Sequence, residues 1–295
     1  MTETRKRPPS AIWIYRKPAG ETSSAVVARF REAHAGPWPL KASHGGVLDP
    51  FAQGLVLVLV GSANRLFEFL HDAPKRYVAR VEWGRETDTG DFDGRTVREG
   101  DATKLTEDRI EAALPAFLGW KKQVPPNTSN KRVDGERAYE KAHRGEHFEL
   151  PAQNVYLHSA QWLAHALPHF SSLELTVRGG FYVRSLATEL GRALDVGAHL
   201  GHLERTHLGP WTHEENPVQL TGRALLPWLP SLELSDAEVG ELRKTERFAS
   251  KRSPTAPEWN VPQGYPQPPG VRLFHQRKLV AVVRDEKVTL LPGGC

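Results

Sequence analysis

The run Gly54-Leu-Val-Leu-Val-Leu-Val60 constrains this chain more than any other stretch. Alternating leucine and valine favour an extended strand, and the run is far shorter than the ~20 apolar residues a helix needs to cross a bilayer. A loop stands directly before it, Lys41-Ala-Ser-His-Gly-Gly-Val-Leu-Asp-Pro50. Its adjacent glycines permit a tight backbone, and Pro50 biases Asp49 away from the helical region. Asp49 is therefore expected in an extended, rigid position at the entrance to an apolar strand. Two readings follow. Asp49 is either a carboxylate held at the edge of a core and facing a pocket, or a turn aspartate bonded to its own backbone. Spacing alone favours the turn aspartate.

Around this point the chain reads as strands and helices in succession. Residues 11–17 form a strand that ends in a turn at Pro18-Ala19-Gly20. A helix follows over 22–33, capped by Thr22 or Ser23, with Val26, Val27 and Phe30 on one side. The apolar strand leads into a helix that closes before the turn at Ala73-Pro74. Lys75 to Trp83 is a strand, and Gly84 to Val97 a polar loop. Asp88, Asp91 and Asp93 in that loop lack the glutamate of a calcium-binding EF-hand and read as a solvated turn. A helix over 106–114 takes Thr106 as its cap and Glu107 and Asp108 in its first turn. Residues 119–145 are basic, with Lys121, Lys122, Lys131, Arg132, Arg137, Lys141 and Arg144, and leave the core as a loop plus helix. Strands are expected at Val155–Leu163, Ser172–Val177 and Gly180–Arg184, the first two alternating as an antiparallel pair with one wet face. Arg184 then starts a helix to Ala193. The apolar segment 224–232 should pack against something. A proline-rich stretch from Lys251 to Gly270 precedes two or three short strands.

Composition narrows the chemistry. The net charge of +4 and pI of about 9.2 favour an anionic partner, nucleic acid or membrane surface. Cys295 is the one cysteine among 295 residues, which rules out an intramolecular disulfide or a cysteine-based zinc site and fits a reducing compartment. Residues 1–10 are polar and basic without an apolar signal segment, so a flexible tail and a cytoplasmic protein are expected. The motifs of zinc peptidases, P-loop nucleotidases, serine hydrolases and dinucleotide-binding enzymes are absent, and no histidine cluster has metal-ligand spacing.

His44-Gly-Gly-Val-Leu-Asp-Pro-Phe-Ala-Gln-Gly-Leu-Val56 resembles the catalytic motif of the TruB family of pseudouridine synthases. His44, Gly46, Leu48, Asp49, Pro50, Ala52, Gly54 and Leu55 match its pattern, and Ser43 replaces the usual glycine before the histidine. Further blocks occur in family order. Lys17, Pro18, Gly20, Thr22 and Ser23 resemble the N-terminal motif. Tyr77 falls in the block of the active-site tyrosine, Arg184 in that of the active-site arginine, and Leu203 in the block that closes the pocket. Gln123 to Gly145 resembles the RNA-gripping insertion. It departs from the family at Asn127, Thr128 and Asn130, where hydrophobic or small residues are common. The resemblance covers residues 13 to 210.

The resemblance implies a mechanism. Asp49 would be the nucleophile, adding to C6 of a uracil or attacking C1′ of its ribose; either route lets the base turn and rejoin through C5. Arg184 would orient Asp49 with its fixed charge. Tyr77 would stack on the target base, with Tyr182 and Leu203 as apolar walls. His44 would assist the flipped-out uridine. Lys17 and Pro18 would support the catalytic loop, with Lys17 counted among the substrate-binding set alongside Lys131 and Arg132, whose charges would meet RNA phosphates. The substrate would be uridine 55 in the TΨC arm of transfer RNA. The isomerisation requires no cofactor or metal, no membrane and no obligate protein partner, and a monomer would suffice.

The implied fold is α+β: a mixed, mainly antiparallel sheet with flanking helices, plus a small C-terminal β extension. Residues 11–235 would be the catalytic domain, with the basic insertion at about 119–150. Residues 236–295 would be a linker and a small PUA-like β domain that tunes RNA affinity. A second reading is a transfer-RNA folding chaperone whose catalysis is not essential; the presence of Asp49, Tyr77 and Arg184 argues against it. A third is a nucleoside or glycoside hydrolase. That would need a second carboxylate, for which Glu189 and Asp195 are poorly placed, in or after a helix.

Overall fold

Branched side chains on both faces of the run at 54–60 require that the strand they form be covered twice. In the computed structural model, which describes residues 8–213 and 217–295, Leu55 to Val60 are all buried. Residues 1–7 of the expected tail lie outside the described residues, while Pro8 is buried and Ser10 Oγ accepts the Ser62 amide. The chain forms two units, one of residues 1–74 with 206–295 and one of residues 75–205.

In the first unit β1 (Ala11–Lys17) leads through Thr22 to α1 (Ser23–Ala33). The Thr22 side chain caps the helix by accepting the Ala25 amide, and the helix buries Ser23, Val26, Val27 and Phe30. β2 (Ala42–His44) and β1 both pair antiparallel with β3 (Gln53–Val60), β1 in the register Ala11–Val60 to Lys17–Gly54. A 3₁₀ stretch, Gly61–Leu66, and the short helix α2 (Phe67–His71) follow.

The second unit is built on β4 (Lys75–Trp83), whose burial alternates residue by residue. The expected polar loop after it contains a hairpin, β5 (Arg85–Thr87) with β6 (Thr96–Glu99). Next come α3 (Glu107–Ala113), capped by Thr106, and β7 (Gly119–Gln123). The two-residue strands β8 (Arg132–Val133) and β9 (Glu136–Arg137) flank Asp134-Gly135, both with positive φ, and α4 (Ala138–His143) follows. Asp-Gly is the pair that a tight primed hairpin turn selects. β10 (Gln153–Ala166), β11 (Phe170–Val177), α5 (Val183–Ala193) and β12 (Ala198–Leu208) complete the unit, β12 running past its boundary. The strands β4, β11, β10 and β7 lie side by side and antiparallel.

Gly180–Arg184 differs from the expected strand. Gly180 turns the chain at φ 89°, and the helix begins at Val183. The aromatic and β-branched residues Phe181-Tyr182-Val183 favour a strand locally. The helical spacing of Val183, Leu186, Ala187 and Leu190, all buried, prevails because it packs α5 against β4 and β5.

The remainder of the first unit carries β13 (Trp211–Thr212), β14 (Val218–Leu220), β15 (Ser231–Glu233), α6 (Asp236–Thr245), β16 (Val271–His275), β17 (Lys278–Arg284) and β18 (Lys287–Leu290). β14 pairs with β1. β15 to β18 form a four-stranded sheet in sequence order, parallel only between β15 and β16. One face of that sheet, with Phe274, Leu279 and Val282, shares a core with Ile12, Ile14, Leu55, Leu57 and Leu59, and Leu225, Leu226, Trp228 and Leu229 belong to the same core. The other face, with Leu273, Val280 and Ala281, packs on Val239 and Leu242 of α6. The fold is α+β, with a mixed and mainly antiparallel sheet arrangement flanked by helices.

Candidate active site

The loop that carries Asp49 is fixed on both sides of the aspartate. Before it, the Leu48 amide donates to Ser23 Oγ at 2.9 Å, and that hydroxyl donates back to the Leu48 carbonyl at 3.3 Å. After it, the Pro50 carbonyl accepts the Gly20 amide at 2.9 Å and Lys17 Nζ at 3.0 Å. Lys17 is fully buried, and its ammonium also donates to the carbonyls of Pro18 at 3.0 Å and Glu21 at 2.6 Å. Three donors thus meet three backbone acceptors, which ties the turn after β1 to the turn after Asp49. These hydrogen bonds of the buried ammonium link the two turns on either side of the Asp49 loop.

The glycines upstream have steric reasons. The Gly45 amide donates to the Leu57 carbonyl at 2.7 Å, and a Cβ there would lie 2.9 Å from Leu57 Cβ. Gly46 adopts φ 134°, outside the range of ordinary side chains. The chain reaches Asp49 half-buried between buried Leu48 and Ala52. His44 is half-buried at the end of β2, opposite Val58 of β3.

In the second unit Arg184 is buried in the first turn of α5. A cation there opposes the helix dipole and has left water, so it needs compensation from neighbouring groups. Its Nη1 donates to the Thr89 carbonyl at 2.9 Å, to Asp91 Oδ2 at 3.3 Å and to Thr128 Oγ1 at 2.6 Å. Asp91 is itself buried, and its Oδ1 accepts Thr89 Oγ1 at 2.6 Å and the Asp93 amide at 3.2 Å. Gly90 has φ 75°, and a Cβ at that position would come within 3.3 Å of Arg184 Cβ; the loop rests directly on the helix.

Tyr77 is buried in β4, opposite Leu175 of β11. Tyr182 precedes α5, and its amide donates to Gln123 Oε1 at 2.8 Å. Leu203 is buried in β12. Further along α5, burial pushes the Glu189 carboxyl up to about 7, against the pull of Arg192. Lys131 and Arg132 are exposed beside and within the small hairpin, where Arg132 Nη1 donates to the Gly135 carbonyl at 2.6 Å. Other insertion charges are engaged internally: Arg144 pairs with Glu136 and Glu146, and Lys141 with Asp134 and Glu146.

Residues 35–183 match the model of the TruB family pseudouridylate synthase N-terminal domain. A tRNA pseudouridine synthase B of Dinoroseobacter shibae is 41% identical over 241 residues, covering 80% of this chain and 78% of that protein. The chain belongs to the TruB family. The tRNA pseudouridine synthase B of Cereibacter sphaeroides is 37% identical over 261 residues, covering 85% of this TruB-family chain and 84% of its own. Among solved structures, a chain of a Cbf5–Nop10–Gar1 complex aligns with a TM-score of 0.64 at 23% identity, covering 93% of this chain and 78% of that one. A chain of an H/ACA RNP bound to a substrate RNA containing 2′-deoxyuridine aligns at 0.63 and 20% identity, covering 95% and 83%. At these identities the structures establish the shared fold.

Sequence reasoning about this TruB-family site missed the partners of Arg184. Asp91 was expected in solvent, whereas Asp88 and Asp93 are exposed and Asp91 alone of the three is buried. The available signal was Gly90 beside it, a residue that lets a loop approach a helix closely. Gln123 and Thr128 carried no local signal, since their partners lie 59 and 56 residues away.

Proposed function

We infer that this pseudouridine synthase acts on transfer RNA, isomerising uridine 55 of the TΨC arm, with Asp49 as nucleophile. The N1–C1′ bond breaks, the C5–C1′ bond forms, C5 loses its proton and N1 gains one. No electron is exchanged with a second reactant. The observation that carries the reading is the double fixation of the Asp49 loop. Buried Lys17 and Ser23 clamp the residues on either side of a carboxylate within a matched family motif. Such rigidity suits a group that must bond carbon and then leave, because orientation lowers the barrier only when it is established beforehand.

Tyr77 is assigned to stack on the uracil, Tyr182 and Leu203 to wall it in, and His44 to assist the flipped nucleotide. Arg184 supplies the buried positive charge. Lys131 and Arg132 are assigned to phosphates, a role that their exposure supports. The same reading takes the enzyme to be a cytoplasmic monomer, and residues 236–295 to be a PUA-like contributor to RNA affinity.

The test is incubation with unmodified total transfer RNA followed by site-resolved pseudouridine mapping, with D49N beside the wild type. Modification at position 55 by wild type alone is expected, with D49N still binding RNA. Modification confined to another site would overturn the substrate assignment, and wild-type turnover by D49N the nucleophile.

A further inference from the structure

Two of the three acceptors on Arg184 Nη1 come from a loop that is anchored on its own. Thr87 Oγ1 donates to the Asp91 carbonyl at 2.6 Å, Thr89 Oγ1 to Asp91 Oδ1 at 2.6 Å, and the Leu200 amide to the Gly90 carbonyl at 2.9 Å. The third, Thr128 Oγ1, belongs to the basic insertion, and at 2.6 Å its hydrogen bond is the shortest of the three.

The stretch leading to Thr128 lies along the start of α5. The Tyr182 amide donates to Gln123 Oε1 at 2.8 Å, and Ser185 Oγ donates to the Val124 carbonyl at 2.9 Å. Immediately beyond, the Tyr139 amide donates to the Ser129 carbonyl at 3.1 Å and the Ala138 amide to the Lys131 carbonyl at 2.7 Å. Thr128 therefore sits between the helix start that carries Arg184 and the hairpin that carries Arg132. A displacement of the hairpin reaches Thr128 through Ser129 to Lys131 without passing through the Asp91 loop.

We propose that Thr128 is a positioning residue that fastens the RNA-gripping insertion to the active-site Arg184, so that the seating of the insertion is read at the chemical step. Nη1 has two hydrogens for three acceptors, so its direction depends on which acceptors are in place. With Thr128 seated, the guanidinium is held from two sides. When the insertion is displaced, the guanidinium loses Thr128 and keeps its contacts with the Asp91 loop. The hydroxyl contributes orientation and not charge, so its removal should slow the reaction while leaving the phosphate contacts of the insertion intact. The inference rests on the functional reading above.

Single-turnover release of tritium from transfer RNA labelled at uracil C5, at saturating RNA, should be measured for wild type, T128V and T128S, with filter binding and thermal melting on the same proteins. Valine keeps the volume and loses the hydroxyl; serine keeps the hydroxyl. T128V is expected to slow the step about tenfold with RNA affinity within about twofold of wild type, and T128S to recover most of the rate. Should T128V melt below the assay temperature, T128A replaces it with the same expectation. An active wild type with an equally fast T128V overturns the inference alone, as does a T128S as slow as T128V. A wild type that releases no tritium overturns the functional reading and this inference with it.

Discussion

Replacing Lys17 with methionine separates a loop-holding role from a substrate-binding one. Methionine keeps the length and apolar packing of the stem but removes an ammonium that donates to three carbonyls at 3.0, 2.6 and 3.0 Å. Hydrogen bonds to a charged group contribute about 1.5–3 kcal/mol each, so the gross loss is roughly 5–9 kcal/mol. Against this, methionine no longer requires a charge to be taken out of water, which costs several kcal/mol in a fully buried position. The Pro50 carbonyl also keeps its Gly20 donor. A net destabilisation of about 2–4 kcal/mol remains, or a fall in Tm of roughly 3–6 °C for a chain of this size. The rate should suffer separately, because Pro50 follows the nucleophile directly and a shift of about 1 Å there costs on the order of a hundredfold. RNA affinity should stay unchanged, since the side chain is buried. Circular-dichroism melting, single-turnover tritium release and filter binding give the three readouts. A K17M protein that melts within about 1 °C of wild type and reacts at full rate, or one that loses affinity and keeps its rate, would refute the clamp.

D91N removes the Asp91 charge that faces the buried Arg184 and should slow the single-turnover rate by about 10- to 100-fold with little change in RNA affinity; an unchanged rate would show the pair to be dispensable. Alanine at both Lys131 and Arg132 should weaken RNA binding and lower the slope of log affinity against log salt by about 0.7–0.9 for each phosphate left without its cation, and an unaltered salt slope would leave the two side chains facing solvent only. Glu189, raised to about 7, binds its proton more tightly in the folded chain, so its contribution to stability is complete below pH ~4.5 and is lost as pH rises through about 7. E189Q should therefore stabilise the protein at pH 8 relative to pH 5, by on the order of 1 kcal/mol after solvent screening, and equal melting shifts at the two pH values would contradict the burial argument. F274A should cost about 3–5 kcal/mol, measured by denaturant unfolding, because Phe274 shares a core with Ile12 and Leu57; a loss below about 1 kcal/mol would mean that the C-terminal sheet contributes little to that core.

What could be read in advance was what short-range chemistry decides. The cap at Thr22, the cap at Thr106, the alternation of β4 and the turn at Gly20 depend on neighbours within four residues. The family motif likewise marks Asp49, Tyr77 and Arg184 by short-range sequence pattern alone. Burial of Asp91 was not legible, because it depends on a helix 93 residues further on. The start of α5 was misread for a related reason. Phe181 to Val183 favour a strand by composition, and only the packing of α5 on β4 and β5 decides otherwise. The C-terminal sheet was legible as strands. Its burial on both faces was not, since Leu279 and Val280 are adjacent in the chain yet belong to opposite cores.

The shared core of the first unit has a consequence in time. Ile12 and Ile14 of β1 pack in one cluster with Phe274, Leu279 and Leu291, at the other end of the chain. A ribosome adding about 5–20 residues per second needs roughly 15–55 s between the two. For most of that interval the leucine and valine run of β3 exists without its final cover, a short, uncharged, strand-forming segment of the kind that aggregates. The second unit, residues 75–205, is synthesised entirely within the gap. Its strands β4, β11, β10 and β7 can pair with one another while the first unit is half made. The segment from 271 to 291 then acts as the closing event of synthesis, and variants that weaken it should reduce the yield of soluble protein more than they reduce the activity of what survives.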